Sequence, residues 1–140
     1  MRAGPIARFR RLGSERRRLL ARAVVTLSAA SAAVAWLPFR RAIRFGLAGA
    51  GQTPISAAED CVWAVEAAAR RLPWRTMCIE KGLAVQRLLR AGGIDARLHY
   101  GVRQQAETAG LNAHVWVTVD GRAIIGGEEA DGFAEVASYP

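Results

Sequence analysis

A chain of 140 residues with 51% hydrophobic content is long enough for one domain, or one domain plus an extension, with a buried core, which excludes a disordered tail. Its net charge of +8 is uneven: residues 1–75 hold 14 basic and 4 acidic groups, residues 76–140 hold 6 and 8, so the basic character belongs to the front half. Only two cysteines occur, Cys61 and Cys78, and no cleavable-looking signal sequence precedes them, which argues for a reduced, cytoplasmic setting and against a disulfide between them.

Residues 1–13 (MRAGPIARFRRLG) are basic and interrupted by Gly4, Pro5 and Gly13, so a loose arm is expected. Eight arginines lie between Arg2 and Arg22. Such a stretch suits an acidic peptide, a nucleic acid or a membrane surface, but the simpler reading is a solvated helix face with a frayed terminus, and no nucleic-acid role is expected. Ser14 is placed to cap a helix over residues 15–37, which Pro38 stops. Residues 23–39 carry no charge but fall short of the roughly 20 residues of a bilayer span, and many are Ala or Ser. A core helix is expected there, in preference to a membrane span or an interfacial helix, and membrane association is not expected.

Residues 40–55 (RRAIRFGLAGAGQTPI) begin with a short amphipathic piece and turn Gly-rich, which reads as a connector. This divides the chain into a basic arm and helical extension over 1–53 and a core over 54–140. The core opens with SAAEDCVWAVEAAARRL, where Ser56 and Glu59 have capping-box spacing and Cys61, Val65, Ala68 and Leu72 recur at helical intervals. That stripe makes Cys61 a packing residue. Pro73 ends the helix, and a second is expected over 76–91, stopped by Gly92-Gly93. Its stripe is Cys78, Gly82, Val85 and Leu89. Gly82 lowers helix propensity by ~1 kcal/mol relative to Ala, so another backbone is expected to approach closely there.

Residues 96–102 alternate, with Leu98, Tyr100 and Val102 on one face and Arg97, His99 and Gly101 on the other. A polar loop over 103–110 leads to LNAHVWVTV, a strand with His114, Trp116 and Thr118 on its more polar face. Asp120-Gly121 is a hairpin signal, RAII returns, and the tail FAEVASYP has no strong pattern beyond Phe133 and Val136 as candidates to pack on the sheet. There is no internal repeat, Gly-rich phosphate loop or CxxC motif.

A thiol at a helix N-terminus, where the macrodipole and free amides favour the thiolate, and an imidazole on a strand are the two parts of cysteine nucleophilic catalysis. Spacing alone does not pair Cys78 with His114, since a Cys and a His this far apart are usually unrelated. A zinc site from Cys61, Cys78, His99 and His114 would draw on four separate elements with none of the usual paired spacing. No metal or cofactor is expected, and His99 reads as an ordinary strand residue.

The ordered motifs carry more. Leu72-Pro73-Trp74-Arg75, then CIEKGLAVQRLL from Cys78, then GIDARL from Gly93, Gly101-Val102, AHVWV from Ala113 and IGGE from Ile125 resemble the lasso peptide biosynthesis B2 proteins, leader peptidases of the transglutaminase-like cysteine protease superfamily. The resemblance runs from about residue 15 to the C-terminus, and its specificity lies in the ordered combination. It implies an α+β fold with a papain-like core, in which a helix carrying the nucleophile packs on an antiparallel sheet carrying the histidine. It further implies that Cys78 attacks the bond between leader and core of a ribosomally made precursor while His114 moves the proton. It implies three partners: the precursor substrate, a separate leader-binding B1 protein and a cyclase that closes the macrolactam. The alternative is a binding or scaffold protein with a protease-like fold in the same type of pathway.

The third member is less direct. The superfamily's orienting Asp lies on the strand after the histidine, and Asp120 is the tempting choice, but six strand residues place it roughly 20 Å from His114 at the hairpin tip. A turn centred on Asp120-Gly121 puts residues 126–128 opposite His114, namely Gly126, Gly127 and Glu128. Glu128 is the preferred third member. Glu129, a backbone carbonyl or a Cys/His dyad are the alternatives.

Overall fold

Why the chain folds around residues 78–119 is clearest in what packs against them. The computed structural model describes residues 13–47, 58–105, 107 and 110–140. Helix α1 (Ser14–Trp36) is followed by α2 (Phe39–Ala42), a 3-10 turn (Ile43–Leu47), α3 (Ala58–Ala69) and α4 (Cys78–Ala91). Then come β1 (Ala96–Gln104), β2 (Leu111–Val119), β3 (Arg122–Ile125), the short α5 (Gly127–Ala130) and β4 (Ala134–Tyr139). The four strands form one antiparallel sheet in the order β3-β2-β1-β4. The fold is α+β, with helices laid on one face of a small sheet.

One core joins these elements. Leu20, Ala23, Leu27 and Ala30 of α1 meet Cys61, Val65 and Ala68 of α3 and Leu83, Val85 and Leu89 of α4, and the sheet adds Leu98, Val115 and Val117. By length and composition α1 could cross a membrane, but in this fold its inner face belongs to that core. Residues 40–47, expected as part of a connector, are helical, and Ala42, Ile43 and Gly46 are buried. Gly46 allows this contact: a Cβ there would lie 2.0 Å from the buried Gln86 side chain of α4. The boundary expected near residue 54, and the Ser56 half of the proposed capping box, lie outside the described residues.

Several local expectations shift. Ser14 falls within α1, whose N-cap is Gly13, with no side-chain cap. Gly82 does face a close approach, but from side chains: a Cβ would sit 2.8 Å from Val115 Cγ1 and 3.1 Å from Leu98 Cδ1. The featureless tail forms β4, an edge strand on β1 with a register shift at Tyr100/Gly101. That irregularity breaks its alternation, and Val136, expected to pack, is exposed. Asp120 (φ 52°) and Gly121 (φ 77°) form the two-residue turn between the paired Val119 and Arg122. Both φ values are positive, as a type I′ turn requires.

Candidate active site

The helix expected from residue 76 begins at Cys78, because Met77 is extended (φ −103°, ψ 173°). Cys78 is therefore the first residue of α4. The Met77 N–H donates to Glu80 Oε2 at 2.6 Å, half of a capping box, and the first intrahelical bond runs from Lys81 N–H to the Met77 carbonyl. The N–H groups of Cys78, Ile79 and Glu80 thus have no carbonyl partner within the helix. Burial of Val85 and Leu89 holds the stripe against the sheet, and Cys78, at its end, is half-buried.

The two cysteines differ in environment. Cys61 is fully buried between α1 and α3, and burial, partly offset by Arg22, pushes its thiol up to about 12. It is a packing residue, as its helical stripe indicates, and does not face the cleft. Cys78 and His114 do: both line a cleft of about 1260 Å³ between the start of α4 and the segment that follows β3. Lys81, one turn after the thiol, forms an ion pair with Glu66 at 3.2 Å on its wall. No hydrogen bond joins the Cys78 sulfur directly to the imidazole among the described residues.

His114 is 5% exposed and held on several sides. Its ring lies 6.1 Å from Trp116, at 21° to it, and 5.3 Å from Phe133, over which Arg103 is placed at 4.6 Å. Nε2 lies 2.7 Å from the Gly126 carbonyl oxygen. A carbonyl only accepts, so Nε2 carries a proton, and in the neutral form of the ring that puts the lone pair on Nδ1. The nearest carboxylate to Nδ1 is Glu129 Oε2 at 3.8 Å, on a side chain 80% exposed. Glu128 lines the same cleft without a hydrogen bond or ion pair to the ring.

Gly126, one of the residues the hairpin places opposite His114, supplies the backbone carbonyl that was an alternative to Glu128. Its left-handed backbone (φ 75°) ends β3 and turns the carbonyl inward. A Cβ there would lie 2.6 Å from the Val115 carbonyl oxygen, so glycine is required both by φ and by space. The Gly126-Gly127 pair directly after a strand was the available signal.

His99 is not in the cleft. Its Nδ1 pairs with the Glu135 carboxylate, Nε2 lies 2.8 Å from Thr118 Oγ1, and its ring stacks on Trp116 at 5.4 Å and 6°. Trp116 thus stands between the two imidazoles. Residues 99 and 135 carry no sequence pattern that joins them; only the β1–β4 pairing does. Among the described residues no three of His, Cys, Asp and Glu converge as a metal site.

A family model described as the transglutaminase-like superfamily matches residues 11–138. No curated protein and no solved structure matches the chain.

Proposed function

The chain belongs to the transglutaminase-like superfamily, and from that premise we propose that it is a cytoplasmic cysteine protease that removes the leader from a ribosomally made lasso peptide precursor. The observation that carries this reading is the hydrogen bond from His114 Nε2 to the Gly126 carbonyl, which makes Nδ1 the basic nitrogen of the neutral ring, in the same cleft as the thiol of Cys78. The motifs shared with lasso peptide B2 proteins supply the substrate class, a leader joined to a core peptide.

In the proposed reaction Nδ1 of His114 takes the proton from Cys78 Sγ, and the sulfur attacks the carbonyl carbon of the scissile bond. The oxyanion that forms meets the N–H groups of Cys78 and Ile79 at the start of α4, which have no carbonyl partner within the helix and are fixed donors in a partly enclosed site. Glu129, 3.8 Å from Nδ1, faces the positive charge that the ring now carries. Collapse of the tetrahedral species breaks the C–N bond, and the ring returns its proton to the leaving amine. What remains is a thioester on Cys78. Water, losing a proton to Nδ1, hydrolyses it and regenerates the thiol. A separate B1 protein presents the leader, and a cyclase takes the freed core. Glu128 retains a place in the proposal as a second carboxylate on the histidine side of the cleft.

The second reading, a protease-like fold that binds without cleaving, is favoured by one observation: among the described residues no side-chain carboxylate hydrogen-bonds His114. Incubation of the protein with precursor and B1, followed by mass measurement, separates the two. Cleavage at the leader–core junction that disappears in Cys78→Ala and His114→Ala is the expected result; an intact precursor with the parent protein, or cleavage by Cys78→Ala at the parent rate, removes the protease reading.

A further inference from the structure

Helix α1 presents to solvent a face that a surface helix normally fills with polar groups. Ala21, Val25, Ala29 and Trp36 follow one another at intervals of four, four and seven residues, so they share one stripe, and all are exposed, Val25 by 69% and Trp36 by 83%. Leu37 and Phe39 extend it beyond the helix end. From residue 19 to residue 39, no exposed position is polar or charged. The opposite face, through Leu20, Ala23, Leu27 and Ala30, is already committed to the core.

Both ends of this apolar strip are cationic. Arg17 and Arg18 stand at one end and Arg40, Arg41 and Arg44 at the other, and none has a carboxylate partner among the described residues. Arg16 differs, being turned inward to Asp60 at 3.5 Å and over Trp63. A second copy of the chain is a poor occupant, since stacking α1 on α1 in either direction sets arginines against arginines. The surface that matches is apolar within and anionic at its boundary, with room for an indole where the two meet.

We propose that α1 rests on an anionic membrane surface, parallel to the bilayer plane, with the Val25–Trp36 stripe and Phe39 in the headgroup boundary and the flanking arginines on lipid phosphates. Spanning is a different arrangement: crossing the bilayer would pull Leu20 and Leu27 out of the core they complete. The contact leaves the cleft open, because none of Ala21, Val25, Ala29, Trp36, Leu37 or Phe39 lines it.

The test is sedimentation of the full-length protein with vesicles of equal phosphatidylglycerol and phosphatidylcholine, and with phosphatidylcholine alone. Partitioning into the anionic vesicles is expected to be at least about tenfold stronger and to weaken at high salt. Trp36→Ala/Phe39→Ala and, separately, Ala29→Glu, which spares the contact between Phe39 and Tyr100, are each expected to lower it about tenfold with an unchanged circular dichroism spectrum. Equal partitioning into both vesicles, or binding untouched by both variants, overturns the proposal, the latter because the arginines alone would then account for it. Resistance to carbonate extraction would show a spanning helix and overturn it too. So would failure to bind either vesicle while an acidic amphipathic peptide docks on the parent protein but not on Ala29→Glu.

Discussion

At position 126 a side chain has nowhere to go, and that constraint shapes the candidate site more than any single carboxylate. The Gly126 carbonyl holds Nε2 of His114 at 2.7 Å, and both the φ of 75° and the Val115 carbonyl 2.6 Å from a would-be Cβ resist substitution. Gly126→Ala is expected to displace the carbonyl and lower the cleavage rate about 100-fold, as misplacement by an ångström does. Asp120→Asn keeps the left-handed turn and is expected to leave the rate within about twofold, whereas loss of a true orienting carboxylate would cost roughly 10⁴. In the same mass assay, Glu128→Gln and Glu129→Gln compare two carboxylates that line the cleft: Glu129, exposed and 3.8 Å from Nδ1, is expected to cost less than tenfold, and a larger loss at Glu128 would make it the third member. The Asp120-Gly121 turn was legible in the sequence because only a few residues accept positive φ. The same turn placed Gly126 opposite His114 and left a backbone carbonyl as an alternative to Glu128, but nothing in the sequence chose between them, since a backbone group has no letter of its own.

At the scale of elements, α4 and the sheet meet where Gly82 removes a side chain one turn after Cys78. Gly82→Val would place a β-branched group within 2.8 Å of Val115 and 3.1 Å of Leu98. Overpacking of this kind costs about 1–3 kcal/mol, read as a lower urea midpoint at unchanged slope. Because Val115 neighbours His114, the shift is expected to reduce cleavage as well; a variant destabilised but fully active would show that the helix and strand adjust independently. The stripe of Cys78, Gly82, Val85 and Leu89 pointed to the packed face, since side chains one turn apart share a side of a helix. The helix start did not, because Met77 adopts its extended backbone through a bond to Glu80 that no propensity encodes.

The whole molecule depends on α1 as much as on the helix that bears the thiol. Leu27 is fully buried, and Leu27→Ala is expected to cost about 2–5 kcal/mol in denaturant unfolding. Cys61, between α1 and α3, links the same packing to pH. Its thiol, raised from 9.0 to about 12, stays neutral in the folded chain while the unfolded chain ionises first. Its contribution is therefore complete below pH 9 and is lost as pH rises from 9 towards 12, at up to about tenfold in the folding constant per pH unit. Cys61→Ala, less stable at pH 8, is expected to lack this part of the alkaline decline; an identical decline in both proteins would place its origin elsewhere. By itself the sequence determined the helical stripes, the hairpin at Asp120-Gly121 and the burial of Cys61, because these follow from the period at which side chains recur and from the residues a turn admits, while the α+β class was implied by the family resemblance that its ordered motifs carry. Only the tertiary structure decided that α1 shares one core with the helix of Cys78, that His99 pairs with Glu135 behind Trp116, and that a backbone carbonyl holds His114. Each of those joins residues far apart in sequence, and no local pattern records a contact that exists only once the sheet and helices have packed.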